Sequence, residues 1–317
     1  MKAMRYRGYG GPDQIEQANV PIPSPRPSEL LVRVAASSVN PVDWKLHNGQ
    51  YRWLTPARFP SVPGSDVAGE VIDTGALVTR FRAGDRIFAM LDARAGGASA
   101  EYAVVPEHAA ARMPTKLSAR EAAALPLAGL TALQALRDLG NIRAGKRALI
   151  VGASGGVGHL AVQIAKSYGA EVTAVCGGRH TNIVLSLGAD RALDYTKETD
   201  FGGPGSFDVV LDLAVRTPVH TFFPIMTSDG VYVSSLPSAG RIAAALLLPI
   251  CSRRRVRIVT VKARGEDLEK LRELCEAGKL RPVIGRVFGL EELAAAHAIS
   301  QKGGTAGKIV IDVLTNR

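Results

Sequence analysis

A chain of 317 residues, 46% hydrophobic and 21% charged, is long enough for two domains and too apolar for disorder. Its formal net charge of +10 suits an anionic cofactor or nucleic acid, but the densest basic run, Arg253-Arg254-Arg255-Val256-Arg257, has no interleaved aromatics and merges into a strand-like alternation, so nucleic-acid binding is not expected. No run reaches the roughly 18 apolar residues of a membrane span, the first residues lack a signal core, and Cys176, Cys251 and Cys275 are scattered without CxxC spacing, so the expectation is a chain of the reducing cytoplasm with no membrane partner and no disulfide framework.

In chain order, residues 2–117 read as β-rich. Short apolar or alternating runs at 30–35, 67–72, 86–89 and 100–105 are separated by Gly/Pro turn signals. Ser118 and Glu121 form a capping box that opens a helical stretch to about residue 139, interrupted at Pro126. Strand and helix patterns then alternate: strand 147–151, helix 156–168, strand 171–175, helix 181–187, then strands at 191–194, 207–212 and 230–235. Residues 256–261 alternate like a further strand, 266–277 and 290–300 are amphipathic helices, and 308–313 closes with a strand. The alternation predicts an α/β fold with a doubly wound parallel sheet and ligands at the strand carboxyl ends.

The first strand of that alternation leads into Gly152, Ala153, Ser154, Gly155, Gly156, Val157 and Gly158, and a helix follows. Strand, glycine turn and helix in this order form a dinucleotide fingerprint, although Ala153 stands at the first glycine of the usual GxGxxG. Glycine lets the backbone approach a pyrophosphate, and the helix start offers free N–H groups to the anion. An NAD site usually carries Asp or Glu near the end of the second strand; here Cys176-Gly177-Gly178-Arg179-His180 has none, and Arg179 suits a 2′-phosphate. NADPH is therefore expected over NADH.

Several stretches together resemble one family. These are Asn40-Pro41-Val42-Asp43, Pro63-Gly64-Ser65-Asp66-Val67-Ala68-Gly69, Gly84-Asp85-Arg86, Leu127-Ala128-Gly129-Leu130-Thr131-Ala132, Gly155-Gly156-Val157-Gly158, Ser186-Leu187-Gly188-Ala189-Asp190 through Asp194-Tyr195-Thr196, and Gly278-Lys279-Leu280-Arg281-Pro282. The chain resembles the zinc-independent medium-chain dehydrogenases/reductases of the quinone oxidoreductase and enone reductase type. The resemblance implies a GroES-like β-rich catalytic domain (1–117 and 283–317), a Rossmann doubly wound cofactor domain (118–282) and an active site in the cleft between them.

Zinc-dependent relatives place Cys at the position of Asn40 and His-Glu at Ser65-Asp66, so no metal is expected. The implied chemistry is hydride transfer from NADPH to a quinone or to the β-carbon of an activated C=C, with a donor at the carbonyl oxygen. The catalytic candidates are Asn40, Lys45 and Tyr51; Trp44 and Trp53 are read as packing, and His47 is given no role. Thr131 is expected at the nicotinamide or its ribose, and Ala153, Ser154, Gly155, Gly156, Val157 and Gly158 at the pyrophosphate. Arg179, Tyr195 and Lys308 are expected at the adenosine 2′-phosphate. Two departures from the family stand out: Gly177 where relatives often have Ser, and Asp212-Leu213-Ala214-Val215-Arg216 where they usually have Val-Gly-Gly. A homodimer through the strand at 256–261 is expected, with the arginine run opposing it. An enoyl-thioester reductase, or a reductase-like protein with little turnover that senses NADPH or binds a partner or RNA, are the other readings left open.

Overall fold

The computed structural model describes every residue except 51, 54, 55, 199 and 315–317, with 249–251 described as backbone only. The chain divides into two units, Met1–Ala128 with Ala263–Arg317, and Gly129–Lys262.

The first unit is built on strands β1 (Lys2–Tyr6), β2 (Ile15–Asn19), β3 (Glu29–Val39), β4 (Asp66–Thr74), β5 (Arg86–Met90), β6 (Tyr102–Pro106) and β7 (Ala110–Arg112). Its helices begin with α1 (Pro41–His47), α2 (Ala119–Ala123) and the start of α3 (Pro126–Gln134). Alternation in β3 buries Leu30, Val32, Val34 and Ala36 on one face, as a strand period of two requires. This long strand pairs with β4 along most of its length, with β6 at its first half and with the C-terminal strand at its second. Gly69 on β4 has no room for a side chain, because a Cβ would collide with the Arg33 carbonyl oxygen across the ladder.

The second unit holds β8 (Arg147–Val151), α4 (Gly158–Ser167), β9 (Glu171–Cys176), α5 (Thr181–Ser186), β10 (Arg191–Asp194), β11 (Phe207–Asp212), β12 (Met226–Ser234), α6 (Ala239–Cys251) and β13 (Arg255–Ile258). All six strands are parallel, in the order β10-β9-β8-β11-β12-β13. Consecutive strands run outward in one direction as far as β10, and the order then reverses between β8 and β11. That is the switch point where open α/β sheets bind ligands. The core here is Leu149, Val175, Val210, Phe222, Tyr232 and Val256.

The chain then returns to the first unit through α7 (Gly265–Glu276), β14 (Ile284–Gly289), α8 (Leu293–Lys302) and β15 (Lys308–Asp312). Both divisions therefore fall away from those read in the sequence, at 128/129 rather than 117/118 and at 262/263 rather than 282/283. The cause is packing. Helix α2 buries Ala122 and Ala123 against β3 and β4, and α7 lies on β7 and β5 with Gly265 against the carbonyls of His108 and Ala110. Helix α6 has no counterpart in the sequence reading. Its inner side chains, among them Ala244, Ala245 and Leu248, pack on the second core, while Ile242, Leu246 and Leu247 are exposed. Among the described residues no helix is long and apolar enough to cross a membrane.

Candidate active site

The glycine turn joins β8 to α4 at the switch point. Gly152 turns the chain with φ 84°, a conformation that glycine adopts without steric cost. Gly158 is required for a different reason. A Cβ there would run into the Gly152 carbonyl oxygen and the Ala153 backbone, so only glycine lets α4 begin this close to the turn. Ala153, at the pattern's first glycine, is fully buried, and its N–H donates to the Val175 carbonyl at 3.0 Å. The cradle so formed, with the N-terminus of α4 behind it, fits a dinucleotide pyrophosphate.

The loops after β9 and β10 flank this turn. Arg179 is exposed in the loop after β9, and His180 beside it lies 3.3 Å from Ser154 Oγ of the glycine turn. Tyr195 is exposed, with its ring against Gly177. Asp194, part of a family motif in the sequence but given no role there, ties the two loops together: it accepts from Thr196 N (3.0 Å), Thr196 Oγ1 (2.8 Å) and Gly178 N, bonds that hold its carboxyl below the usual range. A side chain at Gly178 would collide with this carboxylate. Thr131 lies on α3 and is almost completely buried.

The loop after β11 closes over the other side of the switch point. Leu213 N donates to Val151 O at 2.9 Å, and the Ala214 nitrogen lies against Gly152. Asp212, at the end of β11, accepts from Val215 N (2.8 Å), Tyr232 OH (2.6 Å) and Arg241 Nη2 (3.3 Å). Arg241, reaching over from α6, also donates to Tyr232 OH (3.0 Å) and to Thr217 O (3.1 Å).

In the first unit the register of β3, β4 and β15 collects a buried polar cluster at one sheet end, where Ser38 faces Asp66 and Lys308 opens β15. Asp66 is fully buried. It accepts from Ser38 Oγ (2.5 Å), Asn40 Nδ2 (2.8 Å), Lys308 Nζ (3.2 Å) and, at the first turn of α3, Leu127 N (2.7 Å). Asn40 Oδ1 accepts from Lys308 Nζ at 2.5 Å, and Asn40 N donates to Asp43 at 2.8 Å. Asn40 is therefore a junction between sheet and α1, its amide engaged by its neighbours. Lys308 corrects the sequence reading outright: it is 3% exposed, with its ammonium held between Asn40 and Asp66, not presented to a phosphate. Asp43 beside them accepts from Ser65 Oγ at 3.0 Å; burial, with a contribution from nearby Asp66, pushes its carboxyl up to about 7.

Helix α1 carries Lys45 half-buried on its flank, with the ammonium 5.5 Å from the Trp44 ring centroid and its pKa lowered by burial. Trp44 is held by Ser300 Oγ at 3.1 Å. His47 is packed, stacked on Tyr6 at 4.3 Å and paired with Ser61 Oγ at 2.9 Å. Tyr51 lies outside the described residues. The residues at the zinc-ligand positions, Asn40, Ser65 and Asp66, offer an amide, a hydroxyl and a carboxylate already facing an ammonium, and do not fit a zinc ion.

Comparison with known proteins agrees with both halves. Residues 26–115 match the family description "Alcohol dehydrogenase GroES-like domain", and residues 187–311 match "Zinc-binding dehydrogenase". The chain is 39% identical to the chloroplast envelope quinone oxidoreductase homolog of Arabidopsis thaliana, covering 98% of each chain. It is 35% identical to an Arabidopsis NADPH-dependent alkenal/one oxidoreductase, covering 98% of this chain and 79% of that one. The solved quinone oxidoreductase of Coxiella burnetii superposes with a TM-score of 0.89 at 31% identity, covering 99% of each chain. With a GroES-like unit, a Rossmann unit and relatives that match along the whole length, the chain belongs to the medium-chain dehydrogenase/reductase family, in its quinone oxidoreductase group, and is a nicotinamide-dependent oxidoreductase.

Proposed function

We propose that the protein reduces quinones or α,β-unsaturated carbonyls with NADPH. The observation that carries the cofactor choice is the loop after β9: Arg179 is exposed there, and no Asp or Glu ends β9 to hold a ribose 2′-OH and repel a 2′-phosphate. The substrate class follows the relatives, a quinone oxidoreductase homolog and an alkenal/one oxidoreductase. When bound, the nicotinamide supplies the hydride. The chain's residues do the rest. The turn from Gly152 to Gly158 and the α4 N-terminus hold the pyrophosphate, Arg179 and Tyr195 take the 2′-phosphate end, and Thr131 supports the nicotinamide ribose. Lys45 is the donor to the developing enolate or quinol oxygen. Burial lowers its pKa, which makes its ammonium a stronger acid. A homodimer through the open edge of β13 completes the reading.

The test is NADPH oxidation with a naphthoquinone, an ortho-quinone, a short enone and an enoyl thioester, with NADH in parallel. Turnover of a quinone or enone with NADPH preferred is expected. Turnover of the thioester alone would make the chain an enoyl-thioester reductase, and binding of NADPH without any turnover would make it a sensor.

A further inference from the structure

Val215 has φ 56°, the left-handed region that a β-branched side chain scarcely enters. It stands in the stretch where relatives usually have glycines, the residue that adopts such a conformation freely. Strain of this kind persists only where the surroundings over-determine it. They do: Val215 N is tied to Asp212, Asp212 to Tyr232 and Arg241, and Arg241 to the Thr217 carbonyl beyond the strained residue. Arg241 and Asp212 are both buried, and the same guanidinium grips both ends of residues 212–217. The loop rests on Gly152, between the carboxyl ends of β8 and β11, at the switch point.

We infer that residues 213–217 are a clamped, rigid rest that orients the nicotinamide half of the bound dinucleotide, and that Arg241 is its positioning residue. The inference builds on the NADPH reading above. Arg241 acts through the loop, by denying it any other conformation. The loop is held through side chains from three elements, β11, β12 and α6. A displacement of the reacting carbon by about 1 Å is enough to cost on the order of 100-fold in rate, so a loop that only orients shows itself in turnover before it shows itself in affinity.

Two variants test this: Arg241→Met, which opens the clamp, and Arg241→Lys, which keeps a cation for Asp212 but loses the fork that also grips the Thr217 carbonyl. Both are expected to lower kcat about 10- to 100-fold while the NADPH dissociation constant changes little. Val215→Gly, which relieves the backbone strain with the clamp in place, is expected to keep a rate near the parent's. A binding readout stands apart from turnover: the fluorescence emission of NADPH bound to the parent and to Arg241→Lys is compared. A changed emission in Arg241→Lys supports the inference even if no acceptor is reduced by the parent, in which case the reductase reading fails alone. Unchanged emission together with parental kcat overturns it, as does an Arg241→Lys variant that simply loses NADPH affinity in proportion to its rate. Should Arg241→Met fail to fold, Arg241→Lys decides by itself.

Discussion

On the proposed reading, Arg179 and Lys45 carry the chemistry that single residues can decide. Arg179 is proposed at the 2′-phosphate because a cation in this loop, with no carboxylate ending β9, favours that anion. Its replacement by Ala removes a charge-assisted contact worth about 1.5–3 kcal/mol, so kcat/KM for NADPH is expected to fall about 10- to 100-fold with little change for NADH. Steady-state kinetics with the two cofactors checks this. Lys45→Met is expected to lower kcat with the NADPH dissociation constant unchanged, because Lys45 lies in the unit that does not carry the glycine turn. Lys308 was misread for an instructive reason. A lysine opening the last strand looks like any solvent-facing cation in sequence, and only the register of β15 on β3 drives it into the sheet end beside Asp66.

Among elements, the β8–turn–α4 unit was read nearly as it stands, since its glycines answer to local sterics. The polar cluster under α1 and α3 was not, because its members Ser38, Asn40, Asp66 and Lys308 come from distant parts of the chain. One ammonium facing one carboxylate in full burial makes the cluster sensitive to the loss of either partner. Lys308→Met leaves the buried Asp66 carboxyl without its cation and is expected to cost about 3–5 kcal/mol in denaturant unfolding. The double variant Asp66→Asn/Lys308→Met is expected to recover much of that loss, since both charges go together. Recovery would not occur if Lys308 contributed only through its packed stem.

The pH dependence of stability belongs to the whole molecule. In the folded chain Asp43 titrates at about 7, whereas an unfolded aspartate releases its proton near ~3.9. Over that interval the folded state binds more protons, so this group makes stability fall as pH rises from about 4 to about 7 and then level off. His297 acts at the other end. Burial, with His47 nearby, holds it down to about 3, so below roughly 6.5 the unfolded chain takes up a proton that the folded chain refuses, and stability falls as pH drops. Asp43→Asn copies the protonated carboxyl, with an oxygen for Asn40 N and a donor for Ser65 Oγ. Thermal melts across pH 5–8 are expected to show a smaller decline with rising pH in Asp43→Asn than in the parent; parallel curves would remove Asp43 as the cause.

What the amino-acid order determined by itself is whatever rests on local rules: alternation in the strands, the capping box at Ser118 and the glycine turn, and through them the fold class and a nicotinamide dinucleotide as cofactor. Helix α6 escaped because its solvent side is apolar, so its pattern lacks the polar face by which a surface helix is read. The tertiary structure alone decided that α2 and α7 belong to the β-rich unit, that Lys308 and Asp66 share one buried site, and that Arg241 holds the loop after β11. Each of these depends on contacts between residues far apart in the chain, whose energies come from burial and register, and neither can be read along one stretch of sequence.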